Sequence, residues 1–106
     1  MKHFNNLTPA QAERLAILAE ECGEVIQAVN KILRHGYDSK HPTAILARTN
    51  RQDLELEVGD LELALELMYT GRDLCRDSVS QAYLEKGNRL GQYLHHNKCI
   101  LQETIT

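Results

Sequence analysis

Apolar residues recur at Leu15, Leu18, Cys22, Val25, Val29 and Ile32. The 3-4-3-4-3 spacing lays them along one stripe of an α-helix, widened by Ile26 and Leu33. Thr8-Pro9-Ala10-Gln11 opens this helix, with a hydroxyl at the N-cap, proline at N1 and glutamine at N3 for a capping box. His35-Gly36 closes it, glycine being the residue that tolerates a positive φ at a helix C-terminus. The result is a rod of about 39 Å. A second helix is predicted from Asn50, read as N-cap with Asp53 at N3, to about Tyr69, with Gly71 ending it. A third begins near Asp73, an N-cap candidate, and carries Val79, Ala82, Tyr83, Leu90, Tyr93 and Leu94 on its stripe. Gly87 and Gly91 interrupt that helix, each at a cost of about 1 kcal/mol relative to alanine, and so mark a close helix contact or a kink. Beyond His95-His96-Asn97 the pattern weakens. Residues 98–106, like 1–7, are expected to fray. Tyr37–Thr49 has no sustained period and reads as a long loop with a short turn at Ala44–Ala47.

These elements make an all-α chain: a helical bundle of three main helices in a single domain spanning 1–106. Composition agrees. There are 16 Leu against 4 Val, no Trp and only 2 Pro in 106 residues, a bias toward helix over strand. The net charge of −3 argues against a general nucleic-acid binder. No apolar run approaches the ~20 residues of a membrane span, and the polar start shows no secretory signal. Cys22, Cys75 and Cys99 are odd in number and form no CxxC pair, which fits a reducing, cytoplasmic setting better than a disulfide framework. On its stripe, Cys22 reads as a small core hydrophobe.

The chemistry is acidic. Glu21 and Glu24 on the first helix, and Glu57 and Asp60 on the second, are pairs three residues apart, so each projects from one face with Cβ atoms ~5–6 Å apart. With Glu21 at the origin of a helical wheel, the apolar stripe lies at about 40–120°, so Glu21 borders the core. With Glu57 at the origin, Met68, Leu61, Leu54, Leu65 and Val58 lie at about 20–100° and Leu63, Leu56 and Leu67 at about 240–280°. Glu57 and Asp60 thus fall in a gap between two apolar stripes, a costly place for charge without a cation. An antiparallel packing of the two helices would let the pairs face each other. All-oxygen ligands suit Mg²⁺, with Mn²⁺ a possible substitute. A di-iron carboxylate site would need Glu-x-x-His, which the chain lacks. Glu20, Glu55, Glu62 and Glu66 read as solvated charges.

The stretches Leu18-Ala19-Glu20-Glu21-Cys22-Gly23-Glu24-Val25 and Leu56-Glu57-Val58-Gly59-Asp60-Leu61 carry a resemblance. An ExxE followed by an ExxD on two Leu-rich helices resembles the MazG-like nucleoside triphosphate pyrophosphohydrolases over roughly residues 15–90. Relatives of that family include all-α dUTPases and phosphoribosyl-ATP pyrophosphohydrolase. The resemblance implies Mg²⁺-dependent hydrolysis of a (d)NTP to nucleoside monophosphate and pyrophosphate, by a helical-bundle dimer or tetramer. It implies Glu21, Glu24, Glu57 and Asp60 as metal ligands, with Glu20 or Glu21 polarising the attacking water.

A triphosphate also needs cations. Lys31 lies two turns after Glu24 on the same face, about 10 Å along the axis, and is a candidate phosphate ligand. Its other role would be to complement the helix dipole together with Arg34 and His35. On the third helix, Lys86 and Arg89 are candidates for phosphate and Asn88 for base or sugar, in line with the resemblance. A solvated face is the alternative for all three. Arg48 and Arg51 read as solubilising charges, and Tyr83 and Tyr93 as core or interface. The Tyr37–Thr49 loop, with the third helix, is expected to wall in base and sugar. The two-sided second helix is not easily buried within one chain, so a homodimer completing the bundle is expected. The competing reading is a non-catalytic helical homodimer, an interaction module whose acidic pairs are surface charges.

Overall fold

A computed structural model describes residues 4–43 and 45–106. Among these residues the chain is all-helical, with four helices: α1 (Pro9–His35), α2 (Asn50–Thr70), α3 (Arg76–Leu90) and α4 (Lys98–Ile105). The only bridge described is an isolated one, Lys40 with Thr49. No helix among the described residues is long and apolar enough to cross a membrane. The chain divides into two compact units, residues 1–73 and 74–106.

In the first unit α1 starts as its capping box requires. Thr8 Oγ1 accepts from the Gln11 N–H at 3.1 Å, and the Gln11 side chain accepts from the Thr8 N–H at 2.8 Å. Gly36, at φ 87°, ends it in a backbone conformation that side chains rarely adopt. The start of α2 is shifted by one residue from the sequence reading. Thr49 is the N-cap and Gln52 its capping-box partner, so Asn50 becomes the first helical residue. Asn50 is instead buried, and its Nδ2 donates to the Gly36 carbonyl at 3.0 Å. The backbone N–H groups of Asn50 and Arg51 donate to the Ser39 and Tyr37 carbonyls at 3.0 and 2.9 Å. Every N–H of the first turn of α2 is thus satisfied from within the chain, and the 37–49 segment is clamped to that helix end. Part of the turn expected at Ala44–Ala47 falls on Ala44, outside the described residues; Ile45 and Leu46 do lie in a turn.

The far end of the pair is pinned as well. The Arg14 guanidinium donates twice to Asp73, Nε to Oδ2 and Nη2 to Oδ1, at 2.5 and 3.2 Å. Asp73, read from the sequence as an N-cap of the third helix, therefore serves a contact 59 residues away, and Cys75 is the residue that precedes α3. After α2 the left-handed position is taken by Arg72 (φ 65°), while Gly71 is right-handed. A Cβ at Gly71 would lie 2.5 Å from Arg14 Nε, so any side chain there would push the Arg14 side chain aside. The contacts Gly36–Asn50 and Arg14–Asp73 fix α1 and α2 as an antiparallel pair.

In the second unit Gly87 is buried, and a Cβ there would stand 2.7 Å from Ile105 Cγ2. It marks the close approach of α3 and α4, whereas Gly91 ends α3. The tail expected to fray contains α4, on which Leu101 and Ile105 are half-buried.

Little of the apolar surface is covered. Among the described residues the buried apolar side chains are Ala28, Ala64 and Met68. Leu63 is 63% exposed and Leu33 77%, and Leu56, Leu67, Tyr83 and Tyr93 are also exposed. Cys22 is exposed too, contrary to its reading as a core residue. The reason is the rotation of α1. The face it turns to α2 carries Leu18, Glu21, Val25, Ala28 and Ile32 and centres near Glu21, leaving Leu15, Cys22 and Val29 at the open edge.

Candidate functional site

The antiparallel pairing brings the two acidic motifs together at mid-length. One carboxylate oxygen each from Glu21, Glu24, Glu57 and Asp60 lies within 4.8 Å of the others. Three of the four residues are half-buried and Asp60 is exposed. Glu57 shares the covered face of α2 with Leu61, Ala64 and Met68, as Glu21 shares that of α1 with Ala28. Ionised carboxylates carry no donor, and the consequence is visible: Oε2 of Glu21 and Oε2 of Glu57 are buried with no hydrogen-bond partner.

Electrostatics follow from this crowding. Glu57 is pushed up to about 7, first because its protonated form hydrogen-bonds to Glu24, then through burial and the charges of Glu24, Asp60 and Glu21. Burial, followed by the charges of Glu24, Asp60 and Glu20, raises Glu21. Such a cluster has two ways to relax: to take up protons or to take up a cation. Its donor set, four carboxylates of which two have orphaned oxygens, fits a hard divalent ion of the Mg²⁺ or Mn²⁺ kind.

The site opens into a cleft of about 350 Å³, lined by Glu24, Gln27, Ala28, Lys31, Arg48, Asp53 and Glu57. Lys31 therefore stands where its helical spacing from Glu24 puts it. Glu20 is exposed and outside the cluster, so of the two residues considered for activating water, Glu21 is the one that lies within the carboxylate cluster. Lys86, Asn88 and Arg89 lie on α3 in the second unit, where all three are exposed and the Arg89 Nε donates to the Glu85 carbonyl at 3.4 Å.

Two arginines read as solubilising have specific partners. Arg48 Nε donates to Asp53 Oδ1 at 2.8 Å, and both line the cleft. Arg51 stacks 4.3 Å above the Tyr37 ring and pairs with Asp38 at 3.6 Å. Their roles depend on how the 37–49 segment returns onto α2, which local periodicity does not report.

No family model, curated protein or solved structure matches this chain.

Proposed function

We propose that this chain is a Mg²⁺-dependent nucleoside triphosphate pyrophosphohydrolase. The observation that carries the reading is the convergence of four carboxylates from two facing helices, two with orphaned buried oxygens, beside a cleft containing Lys31. The order and spacing of the two motifs, which resemble those of the MazG-like enzymes, support it.

Glu21, Glu24, Glu57 and Asp60 would hold the ion. Held by these residues, Mg²⁺ would supply charge neutralisation for the triphosphate and make water more acidic. In the reaction, water oxygen bonds to the α-phosphorus and the bond to the α–β bridging oxygen breaks. The products are nucleoside monophosphate and pyrophosphate. Glu21, whose Oε2 lacks any donor, would receive the water proton. Lys31 offers positive charge to the phosphates on the same helix face two turns away. The uncovered leucines Leu56, Leu63 and Leu67 support homodimerisation through that stripe, with a tetramer the larger alternative. The cytoplasm is the compartment this reading implies.

The deciding assay is a panel of NTPs and dNTPs with Mg²⁺, scoring pyrophosphate against phosphate release. Pyrophosphate release that requires the divalent ion supports the reading. A chain that neither hydrolyses any member of the panel nor gains thermal stability from Mg²⁺ or Mn²⁺ is the interaction module instead.

A further inference from the structure

The cleft beside the carboxylates does not end at Lys31. A second cavity of about 290 Å³ shares Lys31, Arg48 and Asp53 with it and adds His41 and Asn50. A third, of about 470 Å³, shares Lys31, His41 and Asn50 with the second and adds His35, Ser39, Lys40 and Pro42. Lys31 lines all three, so the cavities are a series of neighbours that runs from Glu24 and Glu57 of the acidic cluster to Ser39, Lys40, His41 and Pro42.

The charge along this series changes sign. The first cavity contains Glu24, Glu57 and Asp53; the third is lined by no carboxylate but by two lysines and two histidines. His41 is also set as a donor. Its Nδ1 accepts from the Thr43 backbone N–H at 3.3 Å, and a backbone N–H can only donate, so in the neutral ring Nε2 carries the proton. Several groups in and next to this loop that could contact a base are engaged elsewhere. Tyr37 lies under Arg51, the Asn50 amide donates to Gly36, and the backbone N–H groups of Asn50 and Arg51 are held by Ser39 and Tyr37. On the third cavity the segment presents the Lys40 ammonium, the His41 ring and the Ser39 hydroxyl, groups that can each donate to an anion.

We propose that the cavity beneath residues 37–50 is an anion pocket for the distal phosphates of the substrate, with Lys40 and His41 as its ligands beyond Lys31. The segment then reads the length of a phosphate chain and not the base. This rests on the hydrolytic reading above for its substrate, but the pocket itself can be tested without catalysis. The ligand chemistry is a polyphosphate anion, and inorganic tripolyphosphate represents it without a nucleoside.

The test uses the full chain and the double variant Lys40→Gln/His41→Gln, both positions being exposed. Calorimetry without divalent ions measures the affinity for inorganic tripolyphosphate and pyrophosphate. The wild type should bind tripolyphosphate more tightly, and the variant should lose about tenfold in tripolyphosphate affinity, the scale of lost charge-assisted contacts. Binding should weaken as salt is raised. In the hydrolysis assay the variant should raise KM for all four dNTPs by a common factor and leave their ranking as it was. Equal tripolyphosphate affinity in wild type and variant overturns the pocket, as does a variant that re-ranks the four bases. If tripolyphosphate binds and the variant weakens it while no nucleotide is hydrolysed, the pocket stands and the hydrolytic reading falls.

Discussion

The side-chain amide of Asn50 and the carbonyl of Gly36, 14 residues apart, join the end of α1 to the start of α2 at 3.0 Å. The bond lies at a buried residue, so losing it leaves the Gly36 carbonyl without its partner. Asn50→Ala should destabilise the chain by about 1–3 kcal/mol in urea unfolding. Asn50→Asp, which sets an acceptor against an acceptor, should cost more than alanine. Limited proteolysis should then cut first within residues 37–49. Equal stability of wild type and Asn50→Ala would remove the clasp from this account.

The four carboxylates repel one another in the absence of a cation, and Glu57 is pushed up to about 7 by its hydrogen bond with Glu24, by burial and by the charges around it. Glu57→Gln should therefore raise the melting temperature of the metal-free protein and abolish the further rise produced by Mg²⁺. Asp60→Asn, at an exposed position, should give a smaller gain without metal. Both should abolish hydrolysis. A Glu57→Gln protein that still gains stability from Mg²⁺ would show that the cluster is not the ion's site.

Protonation gives the same repulsion a pH signature. Glu57 titrates at about 7 in the folded chain, against 4.5 as an ordinary glutamate. Between those values the folded chain keeps a proton that the unfolded chain has released. Stability of the metal-free protein should then fall as pH rises through that window. Asp73 acts with the opposite sign. Its hydrogen bond from Arg14 holds it below its ordinary 3.8, so its contribution is lost only as pH falls below that value. A divalent ion competes with the Glu57 proton, and the metal-induced shift in melting temperature should grow from about pH 5 to about pH 8. A pH-independent metal shift would contradict this.

The exposed leucine stripe of α2 supplies a test of assembly. Leu63→Glu places a charge in the proposed contact between copies, and light scattering should report monomers or an insoluble chain, a change worth several kcal/mol at a buried interface. A soluble and active dimer of this variant would assign the stripe to another surface.

What could be read from residues alone divides along contact range. The limits of α1 were legible because Thr8, Pro9, Gln11 and Gly36 act within one helical turn of where they sit. The convergence of the four carboxylates was legible because an i, i+3 pair on each of two helices needs only a helix–helix approach to become a cluster. The rotation of α1 was not, since apolar spacing reports the whole apolar face and not which part α2 covers; the covered face centres near Glu21 and leaves Cys22 open. Asn50 illustrates the finer limit. Asparagine and threonine are both good caps, so adjacent Thr49 and Asn50 compete for one position, and what decides is a carbonyl 14 residues away. Asp73 was misread for the same reason, its partner Arg14 being 59 residues distant.

The two contacts that close the helical hairpin, Arg14 with Asp73 and Asn50 with Gly36, lie at its opposite ends, and the four carboxylates lie between them. An ordinary helix loosens from its termini inward, because the last turns have the fewest bonds to lose. Here the termini are latched and the strain sits at the centre, so the metal-free hairpin resembles a strung bow whose weakest point is mid-span. Amide hydrogens around Cys22–Val25 and Val58–Leu61 should exchange before those of the first and last turns, and a bound cation should restore the usual order.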